Sequence, residues 1–121
     1  MKATIKRHNT KKEFYTSEKC FITEISNSAD DADVSIAQAR VGAGITTRWH
    51  QLEKTVERYY IISGEGRMEL GDQAPQDVHP GDVIIIPSLC KQRISNTGST
   101  DLIFLAICSP RFSQNNYQEL E

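Results

Sequence analysis

A histidine and a glutamate stand close together within the stretch 44–66, GITTRWHQLEKTVERYYIISGEG. His50 lies in one apolar-polar run, ITTRWHQL, and Glu57 in a second run, VERYYII, on either side of a polar turn. This pattern predicts a β-hairpin. Side chains two residues apart share one face of a strand, so an inward-facing His50 and Glu57 would meet in the cavity of a small barrel. A carboxylate that orients an imidazole fixes its tautomer and raises its basicity, which suits acid/base chemistry.

The same alternation gives each of these residues neighbours on its own face. Arg48 and Leu52 share the face of His50, and Tyr59 shares the face of Glu57. Arg48 is placed near the cavity mouth, where its guanidinium could bind an anionic group of a ligand.

Composition and charge exclude several classes of function. The chain has 121 residues, enough for one domain, and a formal net charge of −2, without the basic footprint of a nucleic-acid-binding protein. The longest apolar run, LIFLAIC at 102–108, is too short to span a bilayer, and the first residues lack the apolar segment of a secretory signal. The three cysteines lack a C-x-x-C pair and are expected to be reduced, which favours the cytoplasm.

Short strands separated by turn residues predict an all-β sandwich or barrel. Alternating runs occupy 20–26 and 34–41, and a continuous β-branched run at 83–87, VIIIP, predicts a buried strand. Further strands are expected around 91–94 and 102–108. Residues 1–19 are expected to form a polar N-terminal arm and residues 110–121 a polar tail, in which YQELE could at most form a short helix.

The glycines, the histidine and the glutamate of this stretch resemble the cupin family. Its first motif is G-x5-H-x-H-x3-4-E-x6-G, and Gly44, His50, Glu57 and Gly64 stand at those spacings, with Leu52 in place of the second histidine. Its second motif is G-x5-P-x-G-x2-H-x3-N. The matching residues are Gly81, Pro87 and Asn96, whereas Leu89 replaces the motif's glycine and Gln92 its histidine.

The resemblance implies a single cupin domain over 1–121, a double-stranded β-helix or jelly-roll barrel whose core spans about 34–109. Cupins that bind metal hold a divalent ion with three imidazoles and one carboxylate. Carried over, this leaves His50, Glu57 and Gln92 as ligands of a weakly held Mn, Fe, Ni or Zn ion. An amide oxygen is a poorer ligand than imidazole for such ions.

Three functions are compatible with these residues. The first is a small-molecule-binding cupin with a weak or degenerate divalent-metal site. The second is a metal-independent sugar isomerase or epimerase with His50, Glu57 and Tyr59 as catalytic residues and Arg48 and Gln92 as ligand-binding residues. The third is a non-catalytic ligand-binding or sensor cupin.

A homodimer is also expected. The outward positions next to the central pair carry Trp49, Arg58 and Tyr60, residue types that protein interfaces favour. Small cupins usually pair sheet to sheet, so the resemblance implies the same arrangement.

Overall fold

The computed structural model describes residues 1–8 and 12–121, so residues 9–11 of the predicted N-terminal arm lie outside the described residues. The described chain forms eleven strands and almost no helix. In order, the strands are β1 (Phe14–Tyr15), β2 (Phe21–Ser26), β3 (Ser35–Val41), β4 (His50–Leu52), β5 (Val56–Ser63), β6 (Gly66–Leu70), β7 (Gln76–Val78), β8 (Val83–Ile86), β9 (Gln92–Asn96), β10 (Leu102–Ser109) and β11 (Tyr117–Glu119).

The strands form two antiparallel sheets. One has six strands in the order β1-β2-β3-β10-β5-β8, and the other has five in the order β11-β4-β9-β6-β7. The all-β, jelly-roll architecture predicted from the sequence is confirmed. Chain neighbours are often placed in opposite sheets, which is how a jelly roll brings distant parts of the chain to one interior.

A single apolar core fills the space between the sheets. Ile61, Ile86 and Leu102 come from the six-stranded sheet and Met68 and Ile94 from the five-stranded sheet, all nearly inaccessible to solvent. Each points inward because its strand alternates buried and exposed positions. Burying such side chains contributes about 1.5–3 kcal/mol each. The core therefore holds the barrel closed around its polar residues.

The predicted β-hairpin around the Glu53–Lys54 turn is wrong. β4 pairs with β9 and β11, whereas β5 pairs with β10 and β8 in the other sheet. The turn residues connect a strand of one sheet to a strand of the other, so β4 and β5 do not pair with each other. Alternation in each strand still assigned its inward face correctly, because a strand's facing does not depend on which strand it pairs with.

The composition of the run 83–87 predicted a buried strand, but only one face of this strand is buried. Ile84 and Ile86 are in the core, but Val83 and Ile85 are 58% and 63% exposed. The reason is that each strand of a two-sheet fold buries one face against the other sheet and turns its other face outward. A β-branched run predicts a strand, but it does not show whether both faces are covered.

Both ends of the chain are incorporated into the sheets. Phe14 and Tyr15 pair with β2, and the segment 117–119 pairs with β4, in the register Glu119 opposite His50. The expected short helix at YQELE is therefore a strand, preceded by one 3-10 turn at Gln114–Asn116. An antiparallel neighbour with unpaired backbone groups outweighs the weak helix propensity of five residues.

Gly64 and Leu89 both lie in turns with a left-handed backbone. Gly64 has φ +88°, and a Cβ there would lie 2.6 Å from the carbonyl oxygen of Asp101. At the cupin motif's missing glycine, Leu89 adopts φ +66°, so the glycine-like conformation is kept although the side chain is not. Within residues 1–8 and 12–121, no helix is long and apolar enough to cross a membrane.

Candidate functional site

The four inward polar residues predicted from the sequence lie together in the barrel. His50 comes from β4, Glu57 and Tyr59 from β5, and Gln92 from β9, so both sheets contribute. Their side chains are buried in spite of their polarity, with relative exposures of 3%, 9%, 5% and 1% in that order. Buried polar groups of this kind must be hydrogen-bonded. Their partners define the chemistry of the site.

Three of them form one hydrogen-bonded chain. The Tyr59 hydroxyl donates to Oε1 of Gln92 at 2.6 Å, and Nε2 of Gln92 donates to Oε1 of Glu57 at 2.9 Å. The Cys108 thiol, at 3.7 Å, donates to the other carboxylate oxygen of Glu57. Both oxygens of Glu57 are thereby held in place from two directions.

His50 is held by its main chain and by an acidic residue that the sequence analysis missed. Its Nδ1 lies 2.9 Å from the carbonyl oxygen of Arg48. A carbonyl only accepts hydrogen bonds, so Nδ1 carries a proton. Nε2 then faces Oε2 of Glu18 at 3.4 Å. The imidazole ring also stacks on Tyr117, with ring centroids 5.4 Å apart.

Both carboxyl groups have a pKa close to neutrality. Burial raises the pKa of Glu57 to about 7, partly offset by His50 and by the hydrogen bond from Gln92. Burial also raises the pKa of Glu18 to about 7, and the negative charge of Glu119 adds to the effect. Burial raises the pKa of Tyr59 well above its ordinary value, which keeps its hydroxyl a donor. Two carboxyls able to gain or lose a proton near neutral pH thus flank one imidazole.

A cavity of about 330 Å³ gives access to these groups. Glu57 and Glu18 line it, as do side chains from both termini, including Phe14, Phe112 and Tyr117. A smaller space of about 50 Å³ lies further in, lined by His50, Tyr59 and again by Glu18 and Glu57. The larger volume suits one small molecule, and Glu18 and Glu57 line both spaces.

Arg48 does not line the cavity near whose mouth the sequence analysis placed it. Its backbone N–H donates to the carbonyl of Glu18 at 3.1 Å, and its own carbonyl orients His50. Arg48 lines neither cavity. Its part in the site is therefore to orient the imidazole through the main chain.

Two of the three residues expected to hold a metal, Glu57 and Gln92, are hydrogen-bonded to each other. The amide oxygen of Gln92 accepts from Tyr59, and the amide presents its N–H groups to Glu57. Leu52, at the second histidine position, has no ligating atom and is buried. Over residues 1–8 and 12–121, no three His, Cys, Asp or Glu side chains are grouped as metal ligands. As arranged, these residues do not fit the shell of three imidazoles and a carboxylate.

Glu18 and Tyr117 were not predicted from the sequence. Glu18 belongs to the loop between β1 and β2, and Tyr117 begins β11. Each lies in a polar terminal segment without an alternating pattern, so periodicity does not mark it as inward-facing. The one available signal was composition, since a tyrosine in a polar tail needs an apolar surface to pack against.

Comparison with known proteins agrees with this architecture. The family model "Cupin domain" matches residues 37–108. An uncharacterized protein of Methanocaldococcus jannaschii, MJ1618, is 36% identical over 87 residues, covering 72% of this chain and 69% of that protein. An oxalate-binding protein of Thermotoga maritima is 38% identical over 72 residues, covering 59% of this chain and 58% of that protein.

A solved structure shows the same fold at low sequence identity. The nucleoside dehydratase Pac13, of Streptomyces, superposes with a TM-score of 0.79 over 98% of this chain and 92% of its own, at 13% identity. The two-sheet fold, the residue spacing of both motifs and the family-model match over residues 37–108 all agree. The chain belongs to the cupin family.

Proposed function

We propose that this protein binds a small molecule in the barrel and performs acid/base chemistry on it without a metal. The observation that carries the proposal is that Nε2 of His50 and Oε2 of Glu18 face each other at 3.4 Å, with Glu18 lining the cavity of about 330 Å³ and His50 lining the adjoining space of about 50 Å³. An imidazole whose single proton is on Nδ1 has its lone pair at Nε2. The pair can thus exchange a single proton with a bound molecule.

Glu57 supplies a second proton-transfer group on the other sheet. Its pKa of about 7 lets it act as an acid or as a base near neutral pH. Gln92 and Cys108 keep its two oxygens oriented, so the carboxyl meets a ligand in one geometry. A proton removed by one group and returned by the other is the requirement of an isomerase or an epimerase.

A test can use solvent deuterium as the label. Purified protein is incubated in D2O with a panel of small ketones and hydroxyketones, and exchange at the carbon beside the carbonyl is followed by NMR. We expect catalysed exchange with at least one compound, slowed by about 10²–10⁴-fold in His50→Gln. Trp49→Phe, on the opposite face of the same segment, serves as the control and should retain the wild-type rate. Equal rates in His50→Gln and wild type would refute the proposal.

Binding without catalysis is the second candidate. It is favoured by the similarity to the oxalate-binding protein, at 38% identity over 72 residues. Saturable binding of a ligand that undergoes neither exchange nor conversion, lost in Glu57→Gln, is the expected result for this function.

A further inference from the structure

His50 does not line the cavity that is large enough for a ligand. The wall of the cavity of about 330 Å³ includes Glu18 and Glu57, whereas the buried His50 lines only the adjoining space of about 50 Å³. A space of that size holds little more than ordered water, since ligand pockets measure about 300–1,000 Å³. A molecule in the larger cavity can therefore touch Nε2 of His50 only after the boundary between the two spaces has moved.

The boundary consists of the side chains that line both spaces. They are Glu18, Ile22, Glu57, Ala106, Phe112 and Tyr117. Ile22, Glu57 and Ala106 belong to β2, β5 and β10, which each have a strand neighbour on both sides. These three cannot move without opening the six-stranded sheet.

Two further members of the boundary are tied to the barrel by their own main chain. The carbonyl of Glu18 accepts a hydrogen bond from the N–H of Arg48 at 3.1 Å. The N–H of Phe112 donates to Oγ of Ser35 at 2.8 Å, and its carbonyl accepts from Nδ2 of Asn27 at 3.0 Å. Tyr117 is the remaining member.

Tyr117 belongs to a short segment at the edge of a sheet, residues 113–121, which we call the C-terminal strap. Its strand β11 has three residues, is the outer strand of the five-stranded sheet and pairs with β4. Main-chain hydrogen bonds to Trp49 and Glu53 extend this contact at either end. Short edge segments open locally at a lower free energy than the strands of a core.

The ring of Tyr117 covers the imidazole of His50. The two rings are stacked, with centroids 5.4 Å apart and planes inclined by 24°. The Tyr117 hydroxyl has no hydrogen-bond partner in the part of the chain that the structure describes. The side chain can therefore leave the imidazole without breaking a hydrogen bond of its own.

We propose that the C-terminal strap controls access to the site, with Tyr117 separating the ligand cavity from His50. When the strap opens, a molecule in the larger cavity reaches Nε2 of His50, and when it closes, the ring of Tyr117 covers the imidazole again. This inference rests on the proposed function, because it assigns the regulation of the same site.

Access to His50 can be measured without a substrate. Diethyl pyrocarbonate, which acylates the unprotonated imidazole, is added at pH 7, and the modification of each histidine is followed by mass spectrometry of its peptide. The side chain of His79 is 63% exposed and gives the rate of an open imidazole. We expect His50 to react about tenfold or more slowly than His79.

A disulfide across the strap tests the opening directly. Gln51 and Gln118 are partners in the ladder of β4 and β11, and their side chains are hydrogen-bonded at 2.7 Å. Gln51→Cys with Gln118→Cys joins the strap to β4 when oxidised, in a Cys90→Ser background that removes the partly exposed thiol. The oxidised form should react at His50 about tenfold or more slowly than the reduced form.

A matched disulfide at the opposite edge of the same sheet is the control. Arg67 and Asp77 are partners where the outer strand β7 pairs with β6, and neither lines the two spaces next to His50. Arg67→Cys with Asp77→Cys, in the same Cys90→Ser background, should react at His50 at one rate in both redox states.

Substitutions of Tyr117 test the ring itself. Tyr117→Ala should raise the rate at His50 by about tenfold or more. Tyr117→Phe keeps the ring and loses no hydrogen bond, so it should keep the wild-type rate. Equal rates in these two variants would overturn the inference. So would a wild-type His50 as reactive as His79, equal rates in the two redox states of the strap disulfide, or an equal slowing by the control disulfide.

These outcomes remain separate from those of the deuterium experiment. Deuterium exchange that continues at an unchanged rate with the strap disulfide oxidised would refute the strap and leave the acid/base function standing. A strap that opens in a protein that exchanges none of the compounds would support the inference and count against catalysis.

Discussion

The imidazole Nε2 of His50 lies 3.4 Å from Oε2 of Glu18, although the two residues belong to a core strand and to an N-terminal loop. The loop is held there by the hydrogen bond from the Arg48 N–H to the Glu18 carbonyl at 3.1 Å. The residue that orients the ring through its own carbonyl therefore also positions the ring's acidic partner. Two groups that are far apart in the sequence are therefore held within 4 Å of each other.

Glu18→Gln is expected to slow the exchange reaction by about tenfold to a hundredfold, because the amide keeps the shape of the carboxyl but cannot transfer a proton. The pH dependence of kcat should lose the limb near pH 7 that this carboxyl contributes. Glu24→Gln, which changes a more exposed carboxyl of the same cavity, is the matched control. An unchanged pH profile in Glu18→Gln would contradict this role.

Stability is expected to fall as the pH rises through neutrality. The folded pKa of Glu57 is about 7, above its ordinary value of 4.5, so the folded state binds the proton more tightly than the unfolded state. The stabilisation is complete below about pH 4.5 and is lost progressively as the pH approaches and passes 7. Glu18 adds a contribution of the same sign.

Urea denaturation at pH 5, 6, 7 and 8 measures this loss. Glu57→Gln carries no titrating group at that position, so its free energy of unfolding should depend less on pH than that of the wild type. If the two proteins show the same slope between pH 5 and 8, Glu57 does not have a raised pKa.

Tyr59→Phe should destabilise the protein by about 1–3 kcal/mol, because it leaves the buried Oε1 of Gln92 without its donor. The neighbouring Tyr60 is 43% exposed and faces outward. Tyr60→Phe should therefore change the free energy of unfolding by less than about 0.5 kcal/mol. Equal losses in the two variants would show that the hydroxyl of Tyr59 contributes nothing specific.

Leu89→Gly should stabilise the fold by up to about 1 kcal/mol. The substitution removes the cost of a left-handed leucine, about 1–2 kcal/mol, against a smaller gain in the entropy of the unfolded chain. Leu89→Ala is the control, because it removes the exposed side chain but keeps the penalty of the Cβ. Thermal or urea unfolding in which both variants behave alike would exclude backbone strain at this position.

The sequence predicted the fold class and the inward direction of His50, Glu57, Tyr59 and Gln92, since alternation along a strand is a local property. It could not predict strand partners, so the proposed hairpin between β4 and β5 was wrong although both side chains point into the barrel. Pairing depends on the closure of two sheets, which no local pattern encodes.

The positions of Glu18 and Tyr117 also could not be predicted from the sequence. Both complete the site from terminal segments whose residues are mostly polar, and their position depends on contacts with a barrel that must form first. The left-handed backbone of Leu89 was not predicted either, because a leucine gives no sign of the conformation that the motif's glycine would have indicated.

The central claim is that the barrel transfers protons without a metal. Its most direct test is the rate of deuterium exchange before and after removal of metal by a chelator, followed by addition of Mn, Fe, Ni and Zn ions in turn. Leu52→His combined with Gln92→His restores the motif's histidines and should bind such ions, which provides a positive control for the titration. We expect the wild-type rate to stay constant throughout. Activity lost on chelation and restored by one ion would contradict the claim and establish the metal site.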